Sequence, residues 1–107
     1  SMYKKPQAET YLQRVIAASK QTPTSAGAAL FLGMITTDTR AALGKIDKPT
    51  LITIAAGSPW DAVYTDMQKR IAGSRLEIFD GAGHALFVDS AAEFNALLGE
   101  FLTSLHR

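Results

Sequence analysis

The chain has no cysteine, which excludes disulfides, thiolate metal ligands and a thiol nucleophile together. Histidine is nearly as scarce. Only His84 and His106 occur, in different contexts and without clustered carboxylates, so a metal centre built by the protein is not expected. No apolar run approaches the roughly 18 residues that a membrane span requires. No basic segment followed by an apolar one marks a secretory signal, so the expectation is a cytoplasmic protein without a membrane partner. Charge of one sign is not in excess, since Lys and Arg number 11 and Asp and Glu 10. The cations are scattered rather than set in a stripe between aromatics, so a nucleic-acid partner is not expected. No internal repeat, charge block, low-complexity linker or cofactor motif interrupts the chain.

What is present is an ordinary globular composition of about one small domain. Ser1-Met2 (residues 1–2) reads as the scar of a cleaved tag, expected to stand outside the fold. Residues 3–46 read as helices. From Pro6 to Lys20, Ala8, Leu12, Val15 and Ile16 recur at three- and four-residue spacings beside Tyr11, the pattern of an amphipathic helix. Gln21-Thr-Pro-Thr-Ser25 interrupts it, because proline disfavours helix in the residue before it and small hydroxyl residues cap the next helix. The stretch Ala26 to Ile35 is apolar nearly all round, and such a helix is expected to be covered, or else to line an apolar pocket. Thr37 to Leu43 is a short helical turn that Gly44 ends.

Residues 47–107 alternate strand and helix. Thr50 to Ala56 is a β-branched, uncharged run, the pattern of a parallel strand buried on both faces. Val63, Met67 and Ile71 mark a helix from about Trp60 to Ile71. Arg75 to Phe79 is a second strand. Ser90-Ala-Ala-Glu93 reads as a capping box before a last helix carrying Phe94, Leu97, Leu98, Phe101, Leu102 and Leu105 on one broad face. Strand, helix, strand and helix in this order imply an α/β fold with two parallel strands joined by a crossover helix. Two strands are few for a parallel sheet, so the edge of the strand at 50–56 is expected to pair with something outside this sequence.

The chemistry concentrates at Arg75-Leu-Glu-Ile-Phe-Asp-Gly-Ala-Gly-His84-Ala-Leu-Phe-Val88. A strand, a Gly-x-Gly turn and a histidine place an imidazole beyond the carboxyl end of a strand, where open α/β sheets bind ligands. The competing reading is a structural histidine held by a backbone carbonyl. Asp80 and Asp89 flank this loop, and turn and capping roles account for them.

Three segments, Asp38 to Leu51, Ile71 to Val88 and Glu93 to Leu102, resemble in order and spacing the carboxyl-terminal part of α/β-hydrolases, in the esterase, lactonase and cofactor-free haloperoxidase-like branch. The resemblance implies a partial α/β-hydrolase fold over residues 47–107, preceded by cap-like helices over 3–46. It implies that His84 stands at the family's catalytic histidine, the general base that takes a proton from the nucleophile and later activates water. The family writes an aspartate where this chain, counted without gaps from Pro49-Thr-Leu51, has Ser58. Serine can accept a hydrogen bond from imidazole but cannot stabilise imidazolium as an anion does. Asp61, three residues on, is the alternative acid, and its other reading is a first-turn carboxylate favoured by the helix dipole.

The nucleophile has no counterpart, for no Gly-x-Ser-x-Gly occurs. A histidine without nucleophile and oxyanion donors keeps little of the rate enhancement of the assembled group. The expectation is therefore the carboxyl-terminal portion of a serine-type hydrolase of esters, lactones or similar small acyl substrates, inactive alone and partnered by the missing amino-terminal half. The alternative is a non-catalytic homodimeric module that completes its sheet through the open strand edge. A third reading, a small-molecule surface on the cap-like helices, has no residue that singles it out.

Overall fold

The computed structural model describes residues 2–106. The chain divides into two units, one made of residues 2–5 and 40–106 and the other of Pro6–Thr39. The short helix at 40–43, grouped above with the cap-like helices, belongs to the larger unit. So do residues 2–5. Met2, expected to stand outside the fold, accepts a hydrogen bond on its carbonyl from Ala85 N–H at 2.8 Å.

The smaller unit contains α1 (Glu9–Ser19) and α2 (Thr24–Thr36). The interruption falls where Pro23 stands. Pro23 has extended backbone and no side chain caps α2, so the hydroxyl caps expected there are not used. No residue of either helix is buried. Leu30, Phe31, Leu32, Met34 and Ile35 of α2 are all exposed. The covering that its all-round apolar sequence demands is not supplied by the described residues.

The larger unit contains α3 (Arg40–Leu43), β1 (Leu51–Ala55), α4 (Asp61–Arg70), β2 (Arg75–Phe79), α5 (Leu86–Asp89) and α6 (Ala91–Ser104). The strands pair in parallel with Leu51 beside Arg75 and Ala55 beside Phe79. Among the described residues the sheet has these two strands alone. Mixed helix with two parallel strands is the arrangement of a partial α/β fold.

Strand side chains alternate between faces, and the core follows that alternation except at Ile78, which shares the face of Leu76 and is exposed. Ile52 and Ile54 of β1 are buried with Ile71, packed by Leu43, Tyr64, Met67 and Leu76 from α3, α4 and β2. Phe79, on the opposite face of β2, is buried with Ala82 and Leu86 against Phe94 and Leu97 of α6. The rings of Phe79 and Phe94 lie 6.3 Å apart and tilted, a spacing at which aromatic pairs attract. On that second face Arg75 reaches Glu100 of α6 at 3.1 Å, an exposed pair of small energetic weight.

Burial of β1 on both faces is corrected. Ile52 and Ile54 are buried, whereas Leu51, Thr53 and Ala55 are half-buried. The reason is placement: the second cluster gathers around Phe79 at the end of β2 and does not extend across β1. The capping box is corrected too. Ser90 precedes α6 with φ −129° and ψ 45° and caps no N–H with its side chain. Its own N–H donates to Leu86 O at 2.8 Å, which joins α6 to the short α5 that the sequence reading did not foresee.

Candidate functional site

Gly57 follows β1 and Gly81 follows β2, each with φ 70°, backbone that favours glycine because it has no Cβ to clash. Both turns bend the chain over the carboxyl ends of the parallel strands. Between them lies a cleft of about 380 Å³. Its walls include the end of β1 from Thr53 to Ala55, the loop from Ala56 to Pro59, the aromatics Trp60 and Tyr64, and Gly83, His84 and Lys4.

The structure thus brings two of the three sequence-derived site residues together: Ser58 and His84 line the same cleft. Asp61 does not line it. Asp61 is exposed in the first turn of α4, its N–H donating to Ser58 O at 3.2 Å, and the helix N-terminus favours its charge. Ser58 Oγ accepts the Trp60 N–H at 3.2 Å, a local turn bond. No hydrogen bond joins the His84 imidazole to Ser58, Asp61 or any other described residue, and His84 is exposed. The competing reading of a buried histidine held by a carbonyl is therefore not what the structure contains.

The residue that sequence reasoning underestimated is Asp89. It is 5% exposed and its carboxylate accepts three backbone N–H groups: Gly83 at 2.7 Å, Lys4 at 2.7 Å and Lys5 at 3.3 Å. The Lys5 ammonium also donates to the Asp89 carbonyl. The N–H of Lys4, with those of Gly83 and Lys5 and the Lys5 charge, holds the Asp89 carboxyl below the ordinary carboxylate value against the opposing effect of burial. Its role is neither turn nor cap. It ties the segment 2–5 to the histidine loop. Only one signal for it existed in the sequence, a lone acid closing the apolar run Ala85-Leu-Phe-Val88.

Gly83 has a matching structural reason. A Cβ at this position would lie 2.7 Å from Met2 O and 2.9 Å from Lys4 N. The segment 2–5 thus passes directly over the glycine that precedes His84. Lys4, Trp60 and Tyr64 were also missed as cleft residues, because their chemistry carries no motif. Among the described residues no group of three or more histidine, aspartate or glutamate side chains gathers as a metal site. No described helix is long and apolar enough to cross a membrane.

Comparison with known proteins adds direction. Over 63 residues the chain is 43% identical to proline iminopeptidase of Lactobacillus helveticus. It is 38% identical over 63 residues to the protein of that name from Lactobacillus crispatus. The relatives are α/β-hydrolases. Each match covers 56% of this chain and 21% of the relative, so the chain spans about a fifth of the length of the curated relatives it matches. No family model and no solved structure matches the chain. The likeness supports a portion of an α/β-hydrolase and does not support the esterase and lactonase branch to which the motifs pointed.

Proposed function

We propose that the chain is a carboxyl-terminal portion of an α/β-hydrolase in which His84 is the general base, and that the substrate of the assembled enzyme is the amide of an amino-terminal proline. The observation that carries the reading is the shared cleft of His84 and Ser58 at the carboxyl ends of β1 and β2. An imidazole exposed to a cleft and not engaged by the protein is free to exchange a proton with a bound group. That the relatives are proline iminopeptidases favours a prolyl amide over the ester or lactone expected from the motifs.

The chain has no Gly-x-Ser-x-Gly elbow, so alone it turns over neither an aryl amide of proline nor a short-chain aryl ester. The partner that completes the site is an amino-terminal hydrolase portion carrying the nucleophile. A second copy of this chain would bring no elbow, and light scattering separates the two partners.

The test is a chimera in which residues 40–106 replace the corresponding carboxyl-terminal portion of the Lactobacillus helveticus enzyme. Loss of a triad acid's charge costs about four orders of magnitude in related chemistry. The chimera is therefore expected to hydrolyse a proline aryl amide feebly, to gain at least about tenfold on Ser58→Asp, and to lose that gain on His84→Ala. Turnover indifferent to His84→Ala would overturn the assignment. Preference for the aryl ester over the prolyl amide would return the substrate to the ester class.

A further inference from the structure

We propose that Asp89 is the positioning residue for His84, holding the backbone on both sides of the imidazole from a single carboxylate. The inference deepens the reading of His84 as the general base and rests on it for its functional meaning.

The His84 side chain makes no hydrogen bond to a described residue, so the hydrogen bonds that place it are those of the backbone around it. On the amino side, Gly83 donates its N–H to Asp89 Oδ2 at 2.7 Å. On the carboxyl side, Ala85 donates its N–H to Met2 O at 2.8 Å. Met2 stands two residues before Lys4 in the same segment, and the N–H groups of Lys4 and Lys5 end on the same carboxylate. One side chain thus bears on the turn directly through Gly83 and, through the segment 2–5, on Ala85.

The burial of Asp89 makes this arrangement exclusive. A carboxylate removed from water is costly unless its oxygens are satisfied, and charged acceptors make hydrogen bonds about twice as strong as neutral ones. Oδ2 shares the donors of Gly83 and Lys4, and Oδ1 takes that of Lys5. Displacing the segment 2–5 would strip donors from a buried anion. Displacing the histidine turn would do the same from the other side. The two segments are locked to each other through Asp89, with Gly83 admitting the close approach that a Cβ would forbid.

The experiment uses the whole chain and reads amide hydrogen exchange and the two imidazole resonances by NMR, His106 serving as internal control. Asp89→Asn keeps the shape, removes the charge and leaves one of the two acceptor oxygens. The expected result is exchange at least about tenfold faster at Gly83 and Ala85, with a changed His84 resonance. Arg75 and Ala56, whose N–H groups bond across the sheet to Thr50 and Phe79, should accelerate far less, only by the loss of global stability, and His106 should be unmoved. Equal acceleration at all four amides would mean that Asp89 serves global stability alone and would overturn the proposal. So would unchanged Gly83 and Ala85.

A measurement without substitution guards against a variant that does not fold. In the unaltered chain the His84 resonance should show an acid inflection at the midpoint of the Asp89 carboxyl carbon. Absence of that inflection would equally overturn the proposal. Failure of the chimera would remove the catalytic meaning of His84 and leave these exchange rates standing. Failure of the exchange test would leave the chimera's response to His84→Ala standing.

Discussion

The backbone N–H of Gly83 donates to the carboxylate of Asp89 at 2.7 Å, six residues along, across the turn that carries His84. This bond ties the residue just before His84 to a buried acid that also accepts from Lys4 and Lys5. Stability, acid sensitivity and the separability of His84 from the fold all depend on it.

The first consequence is pH dependence. The folded Asp89 carboxyl titrates below its unfolded value, chiefly because the Lys4 N–H and its companions favour the charged form. A depressed carboxyl adds stability above its unfolded pKa, and that stability is lost as pH falls through the folded pKa. The groups facing it include the Lys4, Lys5 and Gly83 N–H groups and the Lys5 ammonium. Urea midpoints across the acid range should fall for the native chain, and Asp89→Asn should flatten that acid limb while lowering stability at neutral pH. Asp66 is also depressed, chiefly by the Arg70 hydrogen bond, but the pair is solvent-facing, and Asp66→Asn should change the limb little.

Gly83→Ala should destabilise the larger unit. The added methyl would meet the backbone of Met2, Tyr3 and Lys4 at 2.7 to 2.9 Å. Backbone cannot yield as a side-chain tip does, and overpacking of this kind costs about 1–3 kcal/mol. Denaturant titration should register the loss. Exchange at Ala85, whose donor bond reaches Met2, should accelerate with it.

His84→Ala should leave stability within about 0.5 kcal/mol of the native chain, as exposed substitutions without partners do. The imidazole is exposed and makes no hydrogen bond to a described residue. Thermal and urea unfolding would check this. A large loss would mean that His84 carries structure, against its proposed chemical role.

Phe79→Ala should be severe. Phe79 is 1% exposed and anchors the cluster that joins β2 to α5 and α6. Such truncations cost about 3–5 kcal/mol, a large share of the stability of a small domain. Phe79→Leu fills more of the space and should cost less. Circular dichroism and denaturant titration would rank the two.

Much of the larger unit was legible in the chain's own pattern. The β-branched run Thr50 to Ala56 and the segment Arg75 to Phe79 became two parallel strands, Leu51–Ala55 and Arg75–Phe79, and Val63 and Met67 fell on one helix as their spacing required, with Ile71 just beyond its end. The Gly81-Ala-Gly83-His84 turn marked the cleft from sequence alone. Short-range features were less secure. Ser90 was expected to cap α6 and instead continues from α5 through its N–H, because a helical turn over Leu86–Asp89 occupies the approach.

Sequence by itself determined the two strands, the helices other than α5, their order, and the presence of His84 beyond a strand, because hydrophobic periodicity and glycine turns are local properties. Only the tertiary structure decided that Ser58 shares the cleft while Asp61 does not, and that Asp89 holds the histidine loop. The physical reason lies in the donors. Asp89 is satisfied by backbone N–H groups, which nearly every residue possesses, and two of them stand 84 and 85 residues away. Such donors leave no mark in the identity of Lys4 or Lys5. They are specified when the chain returns from Arg40 and the segment 2–5 is laid across Gly83.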